Sequence, residues 1–350
     1  MKEIKIDNRK IGGKNSCYTI AEAGANHEGS IEKAFKLIDA AKKAGSDSIK
    51  FQTYKAIKLT TKSAPKYWDD GVSGESQFDV FKKLDSFEED DWKQVFDYAK
   101  KQNITCFSTP FDEKSADMLY SLGTPAFKIA SADITHIPLI KHIALKNLPV
   151  FLSTGMANEE EMKEAVDTIH DCGNENVILL HCVTSYPTNP EDANLEMIHS
   201  LEKDFPDCVI GYSDHTLGSI IPALSVIYGA KVIEKHFTFD TSLKQSRDHR
   251  LSLDSNSFRE MIQNIRLAEI SKGLAHREEF DSEKSGIKYA RRSIVSAIKI
   301  PKDTVISKDM LDIKRPGTGI YPKFLNKVIG TKAIRNIEKD IPIQWDDISE

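Results

Sequence analysis

Two apolar segments of this chain carry a histidine near their C-terminal ends, and both are short enough to be buried strands. They are residues 209–216, VIGYSDHT, and residues 232–237, VIEKHF. In a parallel β-barrel the functional side chains stand at the C-terminal ends of buried strands. The two segments therefore predict neighbouring strand ends that carry imidazole and carboxylate groups.

Strand-like segments alternate with amphipathic segments along most of the chain. Residues 31–44 have apolar side chains at helical spacing, residues 158–172 begin with Asn158 and three glutamates, and a last helix is expected over 254–272. Eight strand–helix units in about 270 residues are typical of a closed (β/α)8 TIM barrel. A doubly wound sheet is less favoured, because no G-x-G-x-x-G motif follows the first strand. The predicted strands are residues 18–24, 48–54, 105–111, 126–133, 149–156, 177–184, 209–215 and 231–237.

The barrel pattern stops near residue 273. We therefore predict a TIM-barrel domain over residues 1–273, a charged linker over 274–288 and a small β-rich domain over 289–350. So short a domain is near the lower size limit for an independent core, and we expect it to lean on the barrel or on a second subunit. Residues 54–87 form a long polar segment after the second strand, which is typical of a lid or a partner contact.

The charge and hydropathy of the chain argue against nucleic acid and membrane as partners. The formal net charge is −5, and no run of lysine and arginine forms a binding stripe. No apolar run approaches the roughly 20 residues of a membrane helix, and the charged N-terminus lacks a signal-peptide core. The five cysteines have no C-x-x-C spacing, so we predict reduced thiols in a cytoplasmic protein.

Two lysines on predicted strands point to an anion site. Lys50 and Lys128 would be costly inside a barrel unless an opposite charge compensates them. A phosphate or a carboxylate would do so, and nearby serine hydroxyls would add hydrogen-bond donors. The alternative is a structural network in which both lysines pair with Glu22 and Glu234. The serines are Ser131, Ser153 and Ser213.

His215 and His236 predict a metal site at adjacent strand ends. Two imidazoles suit a divalent transition metal that keeps open coordination positions. A single strand histidine is more often a hydrogen-bonded core residue, but the pairing strengthens the metal interpretation. Further candidates lie close in sequence, namely Asp214, Glu234, Asp248 and His249. The basic turn Lys314-Arg315-Pro316-Gly317 reads, from spacing alone, as a solvated surface turn.

Nine motifs, in order along nearly the whole chain, resemble those of the sialic acid synthases and related nonulosonic acid synthases. The resemblance implies a TIM barrel followed by a small antifreeze-like (SAF) domain. It also implies a domain-swapped homodimer in which each small domain covers the partner's barrel mouth. The motifs are AEAGANHEG (21–29), KFQT (50–53), STPF (108–111), KIAS (128–131), LSTGM (152–156), YPT (186–188), GYSDHT (211–216), IEKHF (233–237) and KRPG (314–317).

The resemblance also implies a reaction and a set of site residues. Phosphoenolpyruvate would condense with an N-acylated mannosamine-type sugar, giving a nonulosonic acid and phosphate. His215 and His236 would bind Mn²⁺ or Mg²⁺, and Arg315 of a partner subunit would contact the N-acyl group. The implied catalytic residues are Glu22, Gln52, Asp133, His215 and His236. The implied substrate-binding residues are Lys50, Thr109, Phe111, Lys128, Ser131, Ser153, Thr184, Tyr186, Ser213, Glu234, Asp248 and Arg315.

Two departures from the neuraminate synthase pattern leave the sugar open. Position 133 is Asp where Glu is expected, and position 184 is Thr where Asn is common. The acceptor is therefore N-acetylmannosamine or a 6-deoxy diacetamido sugar leading to legionaminic or pseudaminic acid. A phosphorylated sugar would need an extra clamp, for which Arg247 and Arg250 are the candidates near strand eight. A non-catalytic carbohydrate-binding protein would be expected to have lost the lysines and histidines.

Overall fold

The computed structural model describes residues 2–68, 74–243 and 246–349. The chain forms two compact units, Met1–Gly273 and Leu274–Glu350. Among the described residues, no helix is both long and apolar enough to cross a membrane. The two units differ in architecture, and each has its own apolar core.

The first unit is a closed barrel of parallel strands, so the predicted fold class is confirmed. Its sheet order runs β10-β3-β4-β5-β6-β7-β8-β9 and closes on itself. The strands of this unit are β1 (Glu3–Ile6), β2 (Arg9–Gly12), β3 (Tyr18–Gly24), β4 (Ser48–Thr53), β5 (Thr105–Pro110), β6 (Phe127–Ile129), β7 (Val150–Ser153), β8 (Val177–Cys182), β9 (Val209–Asp214) and β10 (Val232–His236).

Helices follow the strands and pack their apolar faces on the barrel. Helix α7 begins after Asn158, whose side chain accepts a hydrogen bond from the backbone N–H of Glu161, as the sequence predicts. The helices of the first unit are α1 (Ile31–Ala44), α2 (Ala56–Leu59), α3 (Gln77–Lys82), α4 (Glu89–Lys101), α5 (Glu113–Ser121), α6 (Ile137–Ala144), α7 (Glu159–Asp171), α8 (Glu196–Asp204), α9 (Ile220–Ile227) and α10 (Ser255–Lys272). Single turns of 3-10 helix cover Ser131–Asp133, Pro190–Ala193 and Arg247–Leu251.

The sequence analysis did not predict the N-terminal hairpin, β1–β2. Its strands alternate between exposed and buried residues, with Ile4, Ile6 and Ile11 buried. These three isoleucines pack with side chains of the barrel interior, such as Phe107 and Phe151. The hairpin therefore fills and closes the end of the barrel opposite the strand C-termini.

The predicted fourth barrel strand is too long, and the difference repositions two candidate residues. β6 ends at Ile129, and Ser131 and Asp133 lie in the 3-10 turn that follows. Backbone hydrogen bonds close this turn, from the N–H of Asp133 to the carbonyl oxygen of Ala130 at 2.9 Å and from the N–H of Ile134 to that of Ser131 at 3.3 Å. The long segment 54–87 is also not all loop, because it contains α2 and α3. Its residues 69–73 lie outside the described part of the chain.

The second unit is a small β-rich fold around a core of aliphatic residues. Ile294, Ile320 and Ile343 belong to this core and are buried. Part of the segment predicted as a linker is helical, because α11 spans Lys284–Tyr289. The other elements are β11 (Ser293–Ser296), β12 (Leu311–Lys314), α12 (Leu325–Val328), β13 (Lys332–Ala333) and β14 (Ile348–Ser349), with 3-10 turns at Asp281–Glu283, Lys308–Met310, Pro322–Phe324 and Trp345–Asp347.

Candidate functional site

A cavity of about 440 Å³ lies at the C-terminal ends of the barrel strands. This size is within the range of small-molecule sites. All of the predicted site residues of the first unit line it, whereas Arg315 belongs to the second unit. The lining residues among them are Glu22, Lys50, Gln52, Thr109, Phe111, Lys128, Ser131, Asp133, Ser153, Thr184, Tyr186, Ser213, His215, Glu234, His236 and Asp248.

Two lysines and two glutamates form a buried charged cluster at the base of the cavity. Lys50 Nζ lies 2.6 Å from Glu22 Oε2 and 3.8 Å from Glu234 Oε2. Lys128 Nζ donates to Glu234 Oε1 at 2.6 Å. These contacts are the ion-pair network that the sequence analysis left as an alternative to an anion site. Because the lysines line the cavity, the network and anion binding are compatible.

Polar neighbours hold the cluster in place. Ser213 Oγ donates to Glu234 Oε1 at 2.9 Å, and Lys50 Nζ donates to Thr109 Oγ1 at 3.0 Å. Gln52 Nε2 donates to Glu22 Oε1 at 3.0 Å. Strand register contributes to this arrangement, since Ser213 on β9 is paired with Glu234 on β10 and Glu22 on β3 is paired with Lys50 on β4.

The protonation of the two glutamates differs. Burial raises the pKa of Glu22 to about 7. Burial opposes ionisation of Glu234 as well, but the charges of Lys128 and Lys50 lower its pKa to about 2. The cluster therefore carries a positive excess whenever Glu22 is protonated. Such an excess favours the binding of an anion in a low-dielectric cavity.

Hydroxyl groups with no protein partner line the same cavity. Ser153 Oγ and Thr184 Oγ1 are buried, and neither has a hydrogen-bond partner among the described residues. Gly155 brings their loops together, because a Cβ at this position would lie 2.3 Å from Thr184 Oγ1 and 2.8 Å from Ser131 Oγ. Buried hydrogen-bond donors without partners are costly, so these hydroxyl groups are suited to bind the oxygen atoms of a ligand.

The two predicted metal ligands stand side by side. The ring centres of His215 and His236 are 5.2 Å apart. His215 Nδ1 donates to the carbonyl oxygen of Val183 at 2.9 Å, which leaves Nε2 of the neutral ring as a lone-pair donor. Burial lowers the pKa of His236 to about 3, and its Nδ1 has no hydrogen-bond partner among the described residues. Burial opposes protonation of His215, but Cys182 and the Val183 carbonyl raise its pKa overall. The two rings stand at adjacent strand ends, and they suit a divalent metal ion when His215 is deprotonated.

Of the other acidic and imidazole groups near the pair, Asp214 and His249 have partners elsewhere, whereas Asp248 faces His236. Asp214 accepts hydrogen bonds from Lys235 and Tyr212. His249 Nε2 lies 3.3 Å from Glu28 Oε1. Asp248 Oδ2 is 3.9 Å from His236 Nδ1. The described residues hold no group of three or more metal-ligating side chains, so protein ligands beyond the histidines are not provided.

Several residues that line the cavity were not among the predicted site residues, and three of them bear on its chemistry. Cys182 was predicted only as one of five reduced thiols, but its Sγ lies 3.8 Å from His215 Nδ1. Tyr67 comes from the long segment after β4, where nothing in the sequence indicated which side chains face the barrel mouth. Arg247 was considered only as part of a phosphate clamp. Its position directly before Asp248, a predicted site residue, was the signal that could have placed it in the cavity.

Comparison with known proteins gives matches over both units. Residues 37–277 match the NeuB family and residues 291–349 match the SAF domain. N,N'-diacetyllegionaminic acid synthase of Legionella pneumophila is 38% identical, over 97% of this chain and 99% of that protein. N-acetylneuraminate-9-phosphate synthase of Mus musculus is 34% identical, over 95% of this chain and 92% of that protein. The structure of an N-acetylneuraminic acid synthetase from Leptospira borgpetersenii, in complex with citrate, superimposes with a TM-score of 0.72, with 35% identity over 82% of this chain and 95% of that one.

The buried cluster predicts a large effect of Glu234→Gln. The substitution keeps the side-chain shape but removes the charge that faces Lys128 and Lys50. Removing one partner of a buried ion pair costs about 3–5 kcal/mol, because the remaining charge is left uncompensated. We expect the free energy of unfolding to fall by about 3 kcal/mol in urea titrations, and inorganic phosphate to restore part of the loss.

The matched control for Glu234→Gln is Asp167→Asn. Asp167 pairs with Lys163 on the surface of α7, where both side chains are more than half exposed. Exposed pairs contribute little, so this variant should unfold with nearly the same midpoint as the unsubstituted protein. If Glu234→Gln were as stable as the control, the account of the cluster would be wrong.

Asp133 predicts a pH dependence of stability. Burial raises its pKa from 3.8 to about 6. Between these values the folded chain binds more protons than the unfolded chain, so the carboxyl's contribution to the free energy of unfolding falls as the pH rises through this interval. Asp133→Asn cannot titrate. Urea unfolding of both proteins should therefore show the unsubstituted protein losing stability relative to Asp133→Asn across the interval, and a constant difference would contradict the raised pKa.

Proposed function

Because the chain belongs to the NeuB family, we propose that it is a phosphoenolpyruvate-dependent synthase that makes a nonulosonic acid of the sialic acid type. The second substrate is an N-acylated amino sugar, and phosphate is released. The observation that carries the proposal is the cavity itself, which holds a buried lysine pair and a buried histidine pair. These two constellations suit, respectively, an anionic substrate and a metal ion.

Phosphoenolpyruvate binds at the base of the cavity. Its phosphate and carboxylate accept charge-assisted hydrogen bonds from Lys50 and Lys128, which then share their charge between the ligand and the glutamates. The unpartnered hydroxyl of Ser153 adds a donor, as does the hydroxyl of Ser131 beside it. Burial of these groups excludes water and strengthens each interaction.

The amino sugar lies toward the mouth, beside the histidines. A divalent metal held by His215 and His236 supplies Lewis acidity toward the aldehyde oxygen of the open-chain sugar. Tyr186 contacts both histidine rings, at centroid distances of 4.2 Å to His215 and 5.9 Å to His236, and forms a wall against which the sugar packs. Asp248 accepts hydrogen bonds from sugar hydroxyl groups, since its Oδ1 is buried and has no hydrogen-bond partner among the described residues.

Carbon–carbon bond formation leaves a positive charge on the carbon that carries the phosphate. Water adds to this carbon, and the resulting tetrahedral species expels phosphate. Asp133 is suited to accept the proton of that water, because its raised pKa of about 6 lies near neutral pH. Gln52 fixes the orientation of Glu22 through their hydrogen bond, and the pair orients the water.

The active unit in this proposal is a cytoplasmic domain-swapped homodimer. Arg315 lies in the second unit, directly after β12. We infer that it reaches the barrel mouth of a partner subunit and donates hydrogen bonds to the N-acyl carbonyl group of the sugar. A barrel active site completed by a neighbour would exist only in the dimer.

The reaction is tested by phosphate release with Mn²⁺, phosphoenolpyruvate and a panel of sugars, with product masses read in parallel. We expect release with one unphosphorylated N-acylated sugar. His236→Ala should abolish turnover without changing the circular dichroism spectrum, and should weaken Mn²⁺ binding measured by electron paramagnetic resonance. Undiminished turnover in the variant would reject the metal role, and silence of the folded, metal-loaded protein across the panel would reject the reaction.

Arg315→Ala tests the intersubunit contact. Loss of a charged hydrogen-bond donor costs about 1.5–3 kcal/mol, so the KM for the sugar should rise by about tenfold or more. The KM for phosphoenolpyruvate should stay nearly unchanged, and the mass in solution should remain that of a dimer. An equal rise in both KM values, or a monomeric active protein, would contradict the proposed arrangement.

A further inference from the structure

Arg247 is a cavity residue whose surroundings fix its guanidinium group. It begins the 3-10 turn Arg247–Leu251 after β10, and its side chain is 18% exposed. Its Cζ atom lies 3.8 Å from the ring centre of Trp68, 5.4 Å from that of Tyr67 and 5.5 Å from that of Tyr186. Stacking against three aromatic rings holds a planar guanidinium in one orientation.

The hydrogen bonds of this guanidinium are incomplete. Nη2 donates to the hydroxyl of Tyr67 at 3.3 Å, and Nε lies 3.5 Å from Asp248 Oδ1. Nη1 is buried and has no hydrogen-bond partner among the described residues. An arginine has five N–H donors, and a buried donor without a partner is costly. Since Arg247 lines the cavity, a ligand oxygen is the natural acceptor for Nη1.

The charge around Arg247 disfavours a phosphate at this position. The carboxylate of Asp248 already neutralises the guanidinium, and a dianion placed beside it would be repelled. A neutral amide carbonyl does not meet this repulsion. An acyl methyl group also suits the aromatic rings of Tyr67, Trp68 and Tyr186, which surround the guanidinium.

We propose that Arg247 and these three rings form a subsite for a second N-acyl group on the acceptor sugar. The carbonyl oxygen accepts a hydrogen bond from Nη1, and the methyl group packs on the rings. The inference rests on the proposed function, in which Arg315 of a partner takes the first N-acyl group. It assigns the acceptor to the class of 6-deoxy sugars with two acetamido groups, rather than N-acetylmannosamine or its 6-phosphate.

The test compares kcat/KM for these three sugars in the unsubstituted protein and in Arg247→Met, which keeps the apolar stem but removes the donors. We expect kcat/KM for the diacetamido sugar to fall by about tenfold to hundredfold, mainly through KM. The value for N-acetylmannosamine should change by less than about threefold, because no hydrogen bond to Nη1 is lost. Arg247→Lys should recover only part of the loss, since an ammonium lacks the planar fork.

Arg250→Met is the matched control. Arg250 belongs to the same 3-10 turn but is exposed, and its Nη2 contacts the carbonyl oxygen of Tyr186 at 3.4 Å. This variant should leave the ratio of the two kcat/KM values unchanged.

Three results would overturn the inference while leaving the proposed function standing. They are an equal loss on both unphosphorylated sugars in Arg247→Met, no loss on either, and a selective loss on the 6-phosphate. Absence of activity with every sugar in the unsubstituted protein would instead reject the proposed function, and the subsite with it.

Discussion

The buried ion pairs at the base of the barrel are the constraint on which the rest of the site depends. Lys50, Lys128, Glu22 and Glu234 are all almost completely buried. None could stay charged there alone, because moving an isolated charge out of water costs several kcal/mol. Strand register pairs Glu22 with Lys50 on the neighbouring strands β3 and β4, and the closed barrel brings Glu234 on β10 to Lys128 on β6. The same arrangement leaves both lysines facing an open cavity, so that a bound anion replaces part of the internal pairing.

The sequence predicts the barrel and most of the cavity for one physical reason. The C-terminal ends of parallel barrel strands all lie at the same face of the barrel. Charged and hydroxyl side chains at those ends are therefore expected to lie close together. Lys50 and His236, far apart in the chain, were identified in this way. The predicted length of β6 was wrong, because the backbone after Ile129 closes a 3-10 turn instead of continuing the strand. The linker over residues 274–288 stays a prediction.

Contacts made by loops were beyond the sequence analysis. Tyr67 and Arg247 are 180 positions apart, yet their side chains are hydrogen-bonded. No periodic pattern encodes such a contact, since both residues lie outside the barrel strands. The hairpin β1–β2 did carry a signal, an alternation of charged and apolar residues. That signal was obscured because the charged half of the pattern dominates the composition of the segment.

Asp248 links the two ends of the cavity. One of its oxygen atoms faces His236 and the other faces Arg247, at 3.9 Å and 3.5 Å. The proposed metal site and the proposed second acyl subsite therefore share one carboxylate. A substitution at position 247 would remove one charged neighbour of Asp248 and leave its approach to His236 in place.

The order in which the barrel closes has a consequence for synthesis on the ribosome. β3 pairs with β4 on one side and with β10 on the other, and roughly 200 residues separate β3 from β10. At about 5–20 residues per second, roughly 10–40 s of translation pass after β3 is made before β10 is available to pair with it. Glu22 and His236 stand opposite each other on these two strands. The last barrel strand to be synthesised is therefore also the one that places His236 opposite Glu22.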